Sequence, residues 1–295
     1  MFDLHAVEMT AYKYCGPHGV DILPNLELKI SPPNQFNDPF EFTPQMVVTN
    51  PLGRATSIVR RKQVMKSLYQ MLKGEGRFSG NFRKFQNHIA AHRQEVVKAL
   101  SECIPMGAAQ ARQELLDKAS ALFGVLCLSK RRDSILMWGH YADSHCGFVI
   151  GFDGLSGVFH PKEEDGLRPV DYVRQRVVYD ATWDESDPKV KAFHDQAVFS
   201  KNDDWAYEEE LRQCFKLSSL RPKPLENGSP GYFLSIPPTA IVSVTLGVRC
   251  TAELEKRVRS ALGQLCLSHV TLDRAIRDES AFALKFARCD RGNMP

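Results

Sequence analysis

The segment Tyr207–Leu217 places carboxylates and a guanidinium close together in the sequence. Glu208, Glu210 and Arg212 alternate along it, and the two-residue period of a β-strand would put all three on one face. The opposite face would carry Tyr207, Leu211, Phe215 and Leu217. A carboxylate in a cleft can stabilise positive charge developing on a ribose C1′ or orient a nucleophile, while a nearby guanidinium sets its ionisation. Glu208 and Glu210 are therefore candidate catalytic residues, and a solvated row of salt bridges is the alternative.

A histidine and a tyrosine come together on a helix predicted over Ser134–Ala142. His140 would lie near the helix C-terminus, where the macrodipole favours an imidazolium. An imidazole beside the phenol of Tyr141 can bind a ribose hydroxyl or stack on a base. These residues are alternatively a buried aromatic corner, with Trp138 packed inside and a hydrogen-bonded histidine.

Asn37, Asp38 and Glu41 lie in the proline-rich stretch Ser31–Pro44, which is predicted to be a loop. A rigid loop could present the carboxylates to a ligand or a metal ion, but Asn-Asp-Pro is also ordinary turn chemistry. His88 and His92 have the i,i+4 spacing of a metal pair without the glutamate of a zincin or a nearby third ligand. A solvated helix face is favoured there, and no metal site is predicted.

The elements that must position these residues follow from periodicity. Short apolar stretches at Ala11–Tyr14 and Ile22–Leu28 indicate two strands, or a strand and a turn. Further strands are predicted at Gly124–Leu128, Gly147–Phe152, Val170–Tyr179, Leu211–Leu217 and Ile241–Val248. Between these groups, Thr56–Phe123 has helical spacing with breaks at Lys73–Gly80 and at Pro105-Met106-Gly107, which indicates three helices.

Capping residues and composition complete the prediction. Asp133 or Ser134 would cap the helix over Ser134–Ala142, and Thr251 would cap another over Ala252–Gly263. Arg221–Gly231 is predicted to be a loop, and residues 289–295 are expected to fray. The sequence thus predicts a single α+β domain over residues 1–295, with a mixed, largely antiparallel sheet and an inserted basic helical segment at 54–123.

Composition excludes several classes of protein. The 43% hydrophobic and 25% charged residues are typical of a globular chain rather than a disordered one. No apolar run approaches the about 20 residues needed to cross a bilayer, and the eight cysteines form no Cys-x-x-Cys pair. We therefore expect a soluble cytoplasmic protein with free thiols and no membrane partner. Phosphate-loop, serine-hydrolase and Rossmann motifs are absent from the sequence.

The helical segment has a larger net positive charge than the chain as a whole. Between Arg54 and Lys118 there are 13 Lys and Arg residues against 5 Asp and Glu, while the whole chain has a net charge of only +3. Phe78, Phe82 and Phe85 are interleaved with these cations. Positive helices with aromatic residues suit a nucleic-acid backbone and stacked bases. Alternatively, the phenylalanines form a core and the cations solvate its outer surface.

Four motifs occur in one order along the chain. They are Tyr12-Lys13-Tyr14, Phe36-Asn37-Asp38-Pro39-Phe40-Glu41, Leu136-Met137-Trp138-Gly139-His140-Tyr141-Ala142 running into Gly147–Phe152, and Lys201 followed by Trp205–Arg212. Together, over roughly Tyr12 to Val248, they resemble the bacterial domain-of-unknown-function family 2971 (DUF2971). The layout is also similar to that of ADP-ribosyltransferase-like proteins, which have an aromatic and basic first strand, a central aromatic block and a late strand bearing a Glu. In this chain the usual first-strand His or Arg is replaced at best by Lys13.

This resemblance implies a pocket for NAD as a substrate. Glu210, Glu208 and His140 would be its catalytic residues. Tyr12, Lys13, Tyr14, Asn37, Asp38, Trp138, Tyr141 and Arg212 would bind the nucleotide. Two functions follow as hypotheses: an enzyme that transfers ADP-ribose to a nucleic acid or protein or cleaves NAD, and a non-catalytic nucleic-acid-binding or effector-sensing module, for example in bacterial defence.

Overall fold

The computed structural model describes residues 10–104, 107–159, 166–183, 187–225 and 228–290. Two units make up the chain. Unit 1 comprises Met1–Glu41, Ala119–Arg174 and Phe199–Pro295, and unit 2 comprises Phe42–Lys118 and Gln175–Val198. The single domain over residues 1–295 stays a prediction. Residues 291–295 of the expected frayed tail lie outside the described residues.

The described residues form strands and helices that do not alternate in a repeating order along the chain. The strands are β1 Thr10–Cys15, β2 Glu27–Ile30, β3 Gln45–Val47, β4 Phe123–Ser129, β5 Phe148–Asp153, β6 Arg168–Pro169, β7 Asp171–Val173, β8 Val178–Asp180, β9 Ser200–Asn202, β10 Glu210–Lys216, β11 Arg221–Pro224, β12 Pro230–Ser235, β13 Ile241–Leu246, β14 Thr271–Arg277 and β15 Leu284–Arg288. The helices are α1 Ile22–Asn25, α2 Pro51–Arg60, α3 Lys62–Gly74, α4 Phe82–Ala91, α5 Arg93–Cys103, α6 Ala108–Leu122, α7 Ile135–Tyr141, α8 Pro188–Phe199 and α9 Ala252–Leu262.

Within the described residues of unit 1, eight strands form one sheet in the order β15-β14-β13-β5-β1-β4-β10-β6. Its pairs are antiparallel except β13 with β14, which are parallel. The predicted α+β class with a mixed, largely antiparallel sheet is confirmed. The last two strands, β14 and β15, were not predicted from the sequence.

The two faces of this sheet differ in character because side chains alternate along each strand. On one face, Leu126, Leu128 and Leu211 belong to the main buried cluster, together with Leu254 and Val258 of α9. On the other face the same strands carry polar groups at Cys127, Ser129, Glu210 and Arg212. The register of β4 and β10 pairs Glu210 with Ser129 and Arg212 with Cys127.

Helix α7 packs on the polar face. Its cap is Ser134, one of the two caps considered from the sequence, whose Oγ accepts a hydrogen bond from the Met137 backbone N–H at 3.4 Å. Met137 and the fully buried Trp138 form a small apolar cluster with Tyr14 of β1. The Trp138 ring meets the Tyr14 ring edge-on, with 5.6 Å between centroids. Tyr14 is thereby held in place beside the polar groups of β4 and β10.

Three predicted elements of the second half are wrong. Val170–Tyr179 is not one strand, because β7 and β8 are separate and pair with β9 and β3 respectively. Arg221–Gly231 is not a loop throughout, since β11 occupies Arg221–Pro224. The prolines of β11 are tolerated because this strand is the edge of a three-stranded sheet with β12 and β2.

The third wrong element is the strand predicted over Tyr207–Leu217. Tyr207 and Glu208 belong to a 3₁₀ turn, Asp203–Glu208, and β10 begins only at Glu210. Between them Glu209 has left-handed angles, with φ of 42°. Tyr207 therefore packs with the α7 cluster, whereas Leu211 belongs to the main core on the other face.

Unit 2 is mainly helical. Three helices were predicted over Thr56–Phe123, but the described residues of this stretch form α2 to α6, because the backbone leaves helical angles at Arg61 and His92. Phe85 is buried, and Tyr69, Phe78 and Phe82 pack around it. Phe78, Phe82 and Phe85 thus belong to the apolar cluster of this unit. No helix within the described ranges combines the length and apolar character needed to span a bilayer.

Candidate functional site

A buried ion cluster lies on the polar face of the sheet in unit 1. The Lys201 ammonium lies 2.6 Å from the Glu208 carboxylate, 3.2 Å from that of Glu210 and 3.4 Å from that of Glu41. All four side chains are at most 5% exposed. The alternative of a solvated row of salt bridges is therefore excluded for Glu208 and Glu210.

Arg212 forms the floor of this cluster. Its side chain is fully buried, and Nε donates to the Glu210 carboxylate at 2.8 Å while Nη2 donates to it at 3.0 Å. Nη2 also donates to Glu41. Such bidentate pairing is among the stronger hydrogen-bonding arrangements, yet burying the charges costs much of what their attraction provides. Arg212 therefore orients the two carboxylates and compensates their charge.

The surroundings shift the pKa values of Glu41 and Glu210 in opposite directions. Burial disfavours the charged form of Glu210, but the Arg212 guanidinium and the Lys201 ammonium outweigh it and hold the pKa of Glu210 below its ordinary value. For Glu41 burial dominates, and its pKa is raised despite Arg212 and Lys201. Lys201 is also buried, but the three carboxylates hold the pKa of its ammonium above the ordinary value.

Tyr141 connects the cluster to α7. Its hydroxyl donates to Glu208 Oε1 at 2.8 Å and accepts from Asn37 Nδ2 at 3.3 Å. Burial, and then the Glu208 charge, raise the pKa of Tyr141, so the phenol stays protonated and continues to donate. Glu208 therefore has two donors, one charged and one neutral.

The local sequence explains how Glu208 reaches Lys201. Asn202 caps the 3₁₀ turn by accepting from the Asp204 N–H at 2.8 Å. At the end of the turn, Ser129 Oγ donates to the Glu208 carbonyl at 2.5 Å. The Glu210 N–H donates to the Tyr172 hydroxyl at 2.7 Å. These bonds satisfy the backbone where the chain reverses and hold both carboxylates over β4.

A pocket of about 200 Å³ opens beside the cluster. Its walls include Tyr12, Lys13, Tyr14, Phe36, Asn37, Glu41, Cys127, Ser129, Met137, Tyr141, Lys201, Glu208 and Glu210. The structure thus brings the first-strand tyrosines, Asn37, Tyr141 and both predicted glutamates to one place, although the hydrogen-bonded pair Tyr141 and Glu208 alone is separated by 67 residues.

Other predicted site residues lie elsewhere. His140 is exposed and does not line this pocket. The centroid of its ring lies 6.3–6.4 Å from the ring centroids of Tyr141, Trp205 and Tyr207. Trp138 is buried behind the wall, where its indole N–H donates to the Arg132 carbonyl at 2.8 Å.

Asp38 and Arg212 also lie outside the pocket lining. Asp38 Oδ1 accepts from the Phe40 N–H at 2.8 Å, which is the turn chemistry considered from the sequence. Arg212 lies beneath the pocket and acts on it through Glu41 and Glu210.

Lys201 had no assigned role in the sequence-based site, and Glu41 was considered only as a carboxylate that the proline-rich loop could present to a ligand or a metal ion. Lys201 and Glu41 both occur in the motifs of the family resemblance, but nothing in their spacing indicates that they meet. Cys127 also lines the pocket, and burial followed by the Glu210 charge raises the pKa of its thiol. A thiol in that state is a poor nucleophile at neutral pH.

Metal ligation is not indicated by the described residues, where no group of three or more His, Cys, Asp or Glu side chains could hold an ion. His88 and His92 lie with ring centroids 4.8 Å apart on an exposed helix face of unit 2.

Similarity to a known family covers a central stretch of the chain that includes residues of both units. Residues 137–213 match the family described as "Protein of unknown function (DUF2971)". The DUF2971 match begins in α7 and ends in β10, so it includes Tyr141, Lys201, Glu208, Glu210 and Arg212 but neither β1 nor Glu41. No curated protein and no solved structure matches the chain.

Proposed function

We propose that unit 1 cleaves the bond between nicotinamide and ribose in NAD, and transfers the ADP-ribose to water or to a nucleophile on a nucleic acid or protein. The observation that carries the proposal is the Glu208 carboxylate, which is buried, lines the pocket and is held by Lys201 and Tyr141. The order of an aromatic first strand, the α7 block and a late glutamate supports an ADP-ribosyltransferase-like arrangement.

The reaction needs a carboxylate at C1′ of the ribose. The C1′–N bond breaks with its electron pair passing to the ring nitrogen, which removes the pyridinium charge. The ribose is left as an oxocarbenium ion, and the Glu208 carboxylate stabilises that positive charge. The nucleophile then bonds to C1′ and releases its proton to solvent. A preoriented carboxylate accelerates such a step because it needs no reorganisation as charge develops.

Glu208 fits this role better than Glu210. Arg212 makes two hydrogen bonds to Glu210 and Lys201 makes a third, so its charge is already compensated. Glu208 has Lys201 and the neutral Tyr141 hydroxyl. Although the sequence placed Glu210 first, we assign the reacting carboxylate to Glu208 and a structural role to Glu210.

The size of the pocket limits which part of the substrate it encloses. Sites that enclose a drug-sized ligand have volumes of about 300–1,000 Å³, and this one has about 200 Å³. We expect it to enclose one ring with its sugar, and Tyr12, Phe36 and Tyr141 in its lining supply aromatic surface for that ring. The rest of a dinucleotide would extend outside it.

The proposal is tested by measuring nicotinamide release from NAD by the full chain, alone and with RNA, DNA or a protein extract as acceptor. We expect Glu208→Gln to lower the rate by about 100-fold or more, because the amide keeps the size of the side chain and removes its charge. Glu279→Gln, an exposed glutamate outside this pocket, is the matched control. A wild-type protein that releases no nicotinamide under any of these conditions would contradict the proposal.

Unit 2 supports a second candidate function, binding of nucleic acid through phosphates. Arg60, Lys62 and Arg93 border a groove of about 330 Å³ in this unit, whose floor includes Met65 and Ile89. The aromatic residues of the unit pack against one another, so the proposal rests on phosphate contacts and not on base stacking.

A further inference from the structure

The ion cluster holds more negative than positive groups. Its ion pairs join three carboxylates, Glu41, Glu208 and Glu210, to two cations, Lys201 and Arg212, within the part of the chain that the structure describes. If all were ionised, one negative charge would be buried without compensation. Isolated buried charges are so costly that the group usually neutralises instead. One carboxyl group of the three should therefore hold a proton.

Glu41 is the member best suited to hold it. Glu210 receives hydrogen bonds from both cations, and Glu208 receives them from Lys201 and Tyr141. Glu41 receives one, from Arg212 to its Oε2. Its Oε1 is buried without a hydrogen-bond partner among the described residues, and lies 3.4 Å from Lys201 Nζ.

The surroundings of Glu41 agree with this distribution. The titratable and charged groups around it are Arg212 and Glu210 of β10, Lys201 of β9, Glu208 of the turn, Tyr141 of α7 and Cys127 of β4. Tyr12, Lys13 and Tyr14 of β1 line the same pocket, and Lys13, which is half-buried, forms none of the ion pairs of the cluster given above. Burial raises the pKa of Glu41 against the effect of the two cations, whereas the pKa of Glu210 is lowered. Charge balance, hydrogen bonding and burial indicate the same residue.

We propose that Glu41 is the neutral carboxylic acid of this cluster at pH 7, and that it presents a hydrogen-bond donor to the pocket where the sequence suggests a negative charge. Arg212 then donates to the carbonyl oxygen Oε2, and the proton lies on Oε1. A carboxylic acid kept neutral by its surroundings is an effective donor to an oxygen or nitrogen of a ligand. The two cations balance Glu208 and Glu210, and the cluster is neutral overall.

This arrangement defines the ligand class more narrowly. Resting on the proposed function, it predicts a substrate with one positive or developing charge near Glu208 and an uncharged acceptor atom near Glu41. A ribose oxygen or a carboxamide carbonyl has that chemistry. A ligand with two positive charges does not fit, because Arg212 already donates to Glu41 and Glu210, whereas Glu208 receives hydrogen bonds from Lys201 and Tyr141.

Infrared spectroscopy tests the proton directly. A protonated carboxyl group has a carbonyl stretch that is separate from those of ionised carboxylates, so the full chain at pH 7 should show one such band. The band should disappear in Glu41→Gln and persist in Glu279→Gln. Its absence from the wild type, or its persistence in Glu41→Gln, would overturn the proposal.

Stability provides a second measurement that needs no substrate. A carboxyl group whose pKa is raised on folding contributes stability that is full below its ordinary pKa of 4.5 and is lost as the pH rises through the folded value. The wild type should therefore lose free energy of unfolding relative to Glu41→Gln between pH 4.5 and 7. Glu41→Gln should keep the fold at pH 7, whereas Glu210→Gln should destabilise it. If Glu41→Gln unfolds or destabilises the protein as much as Glu210→Gln, Glu41 is ionised.

These outcomes are independent of NAD turnover. A neutral Glu41 in a protein that releases no nicotinamide would contradict the proposed substrate and leave the proton assignment in place. An ionised Glu41 in a protein that releases nicotinamide would contradict the proton assignment and leave the proposed substrate in place.

Discussion

The Tyr141 hydroxyl donates a hydrogen bond to the Glu208 carboxylate at 2.8 Å, and 67 residues of chain separate the two. One belongs to a helix capped by Ser134, the other to a 3₁₀ turn that precedes β10. Because both elements pack over the same face of the sheet, the bond fixes the carboxylate at the edge of the pocket. It also makes Tyr141 a positioning residue whose removal can be tested.

Tyr141→Phe should lower nicotinamide release while preserving the fold. The substitution removes one donor to Glu208 and the acceptor of Asn37, and the loss of such bonds costs about 1 kcal/mol of stability. Tyr207→Phe is the control, since its ring lies near His140 but outside the pocket lining. Denaturant unfolding and turnover should be measured together. Equal turnover in the two variants would argue against a role for Tyr141 in positioning Glu208.

Arg212→Met should be strongly destabilising. It leaves Glu210 and Glu41 buried without their principal cation, and removing one partner of a buried ion pair costs about 3–5 kcal/mol. Arg131→Met removes a surface pair with Asp133, for which about 0–1 kcal/mol is expected. The free energies of unfolding of the two variants should be measured in urea. Similar decreases would mean that the buried ion pairs of Arg212 contribute no more stability than a surface ion pair.

The pH dependence of stability should reveal Glu210. Its pKa is depressed on folding, so its contribution is present above its ordinary pKa of 4.5 and is lost as the pH falls through the lower folded value. The wild type should exceed Glu210→Gln in free energy of unfolding at pH 6 to 7, with the difference shrinking below pH 4.5. A difference that is constant with pH would show that Glu210 contributes through packing alone.

Binding of duplex DNA or RNA by unit 2 should depend steeply on salt. For duplex DNA the logarithm of the binding constant falls with the logarithm of salt concentration, with a slope of about −0.9 for each phosphate neutralised. Replacing Arg60, Lys62 and Arg93 together by Ala should flatten this slope in a titration of the full chain. Arg257→Ala, on α9 of unit 1, is the control. If the protein binds no nucleic acid at low salt, the binding hypothesis is wrong, and these cations serve only as a solvated surface.

Local sequence patterns were sufficient for many elements. The cap at Thr251 was predicted, and the cap at Ser134 was one of two candidates, because a side-chain oxygen at the start of a helix satisfies a free N–H within the same turn. Strands such as β4, β5 and β13 were found from β-branched and apolar runs. The helix breaks at Arg61 and His92 were missed, since neither residue is a strong helix breaker by type.

Glu208 and Glu210 show how far local sequence patterns can predict the structure. Alternation placed Glu210 and Arg212 on one strand face correctly, because both lie within β10 and side chains alternate by geometry. The same alternation wrongly predicted that the strand includes Glu208. In the structure a 3₁₀ turn and the left-handed residue Glu209 precede β10, and contacts with β4 stabilise them. Those contacts depend on a partner strand distant in sequence.

The sequence by itself determined the α+β class, the polar character of β10 and the caps that begin α7 and α9, because these depend on neighbours within a few residues. Only the tertiary structure decided that Glu41, Lys201 and Arg212 form one buried cluster with Glu208 and Glu210. The physical reason is that pairing and burial act together: exclusion of water makes each charge costly, and only the folded chain supplies the counter-charges that make the arrangement stable.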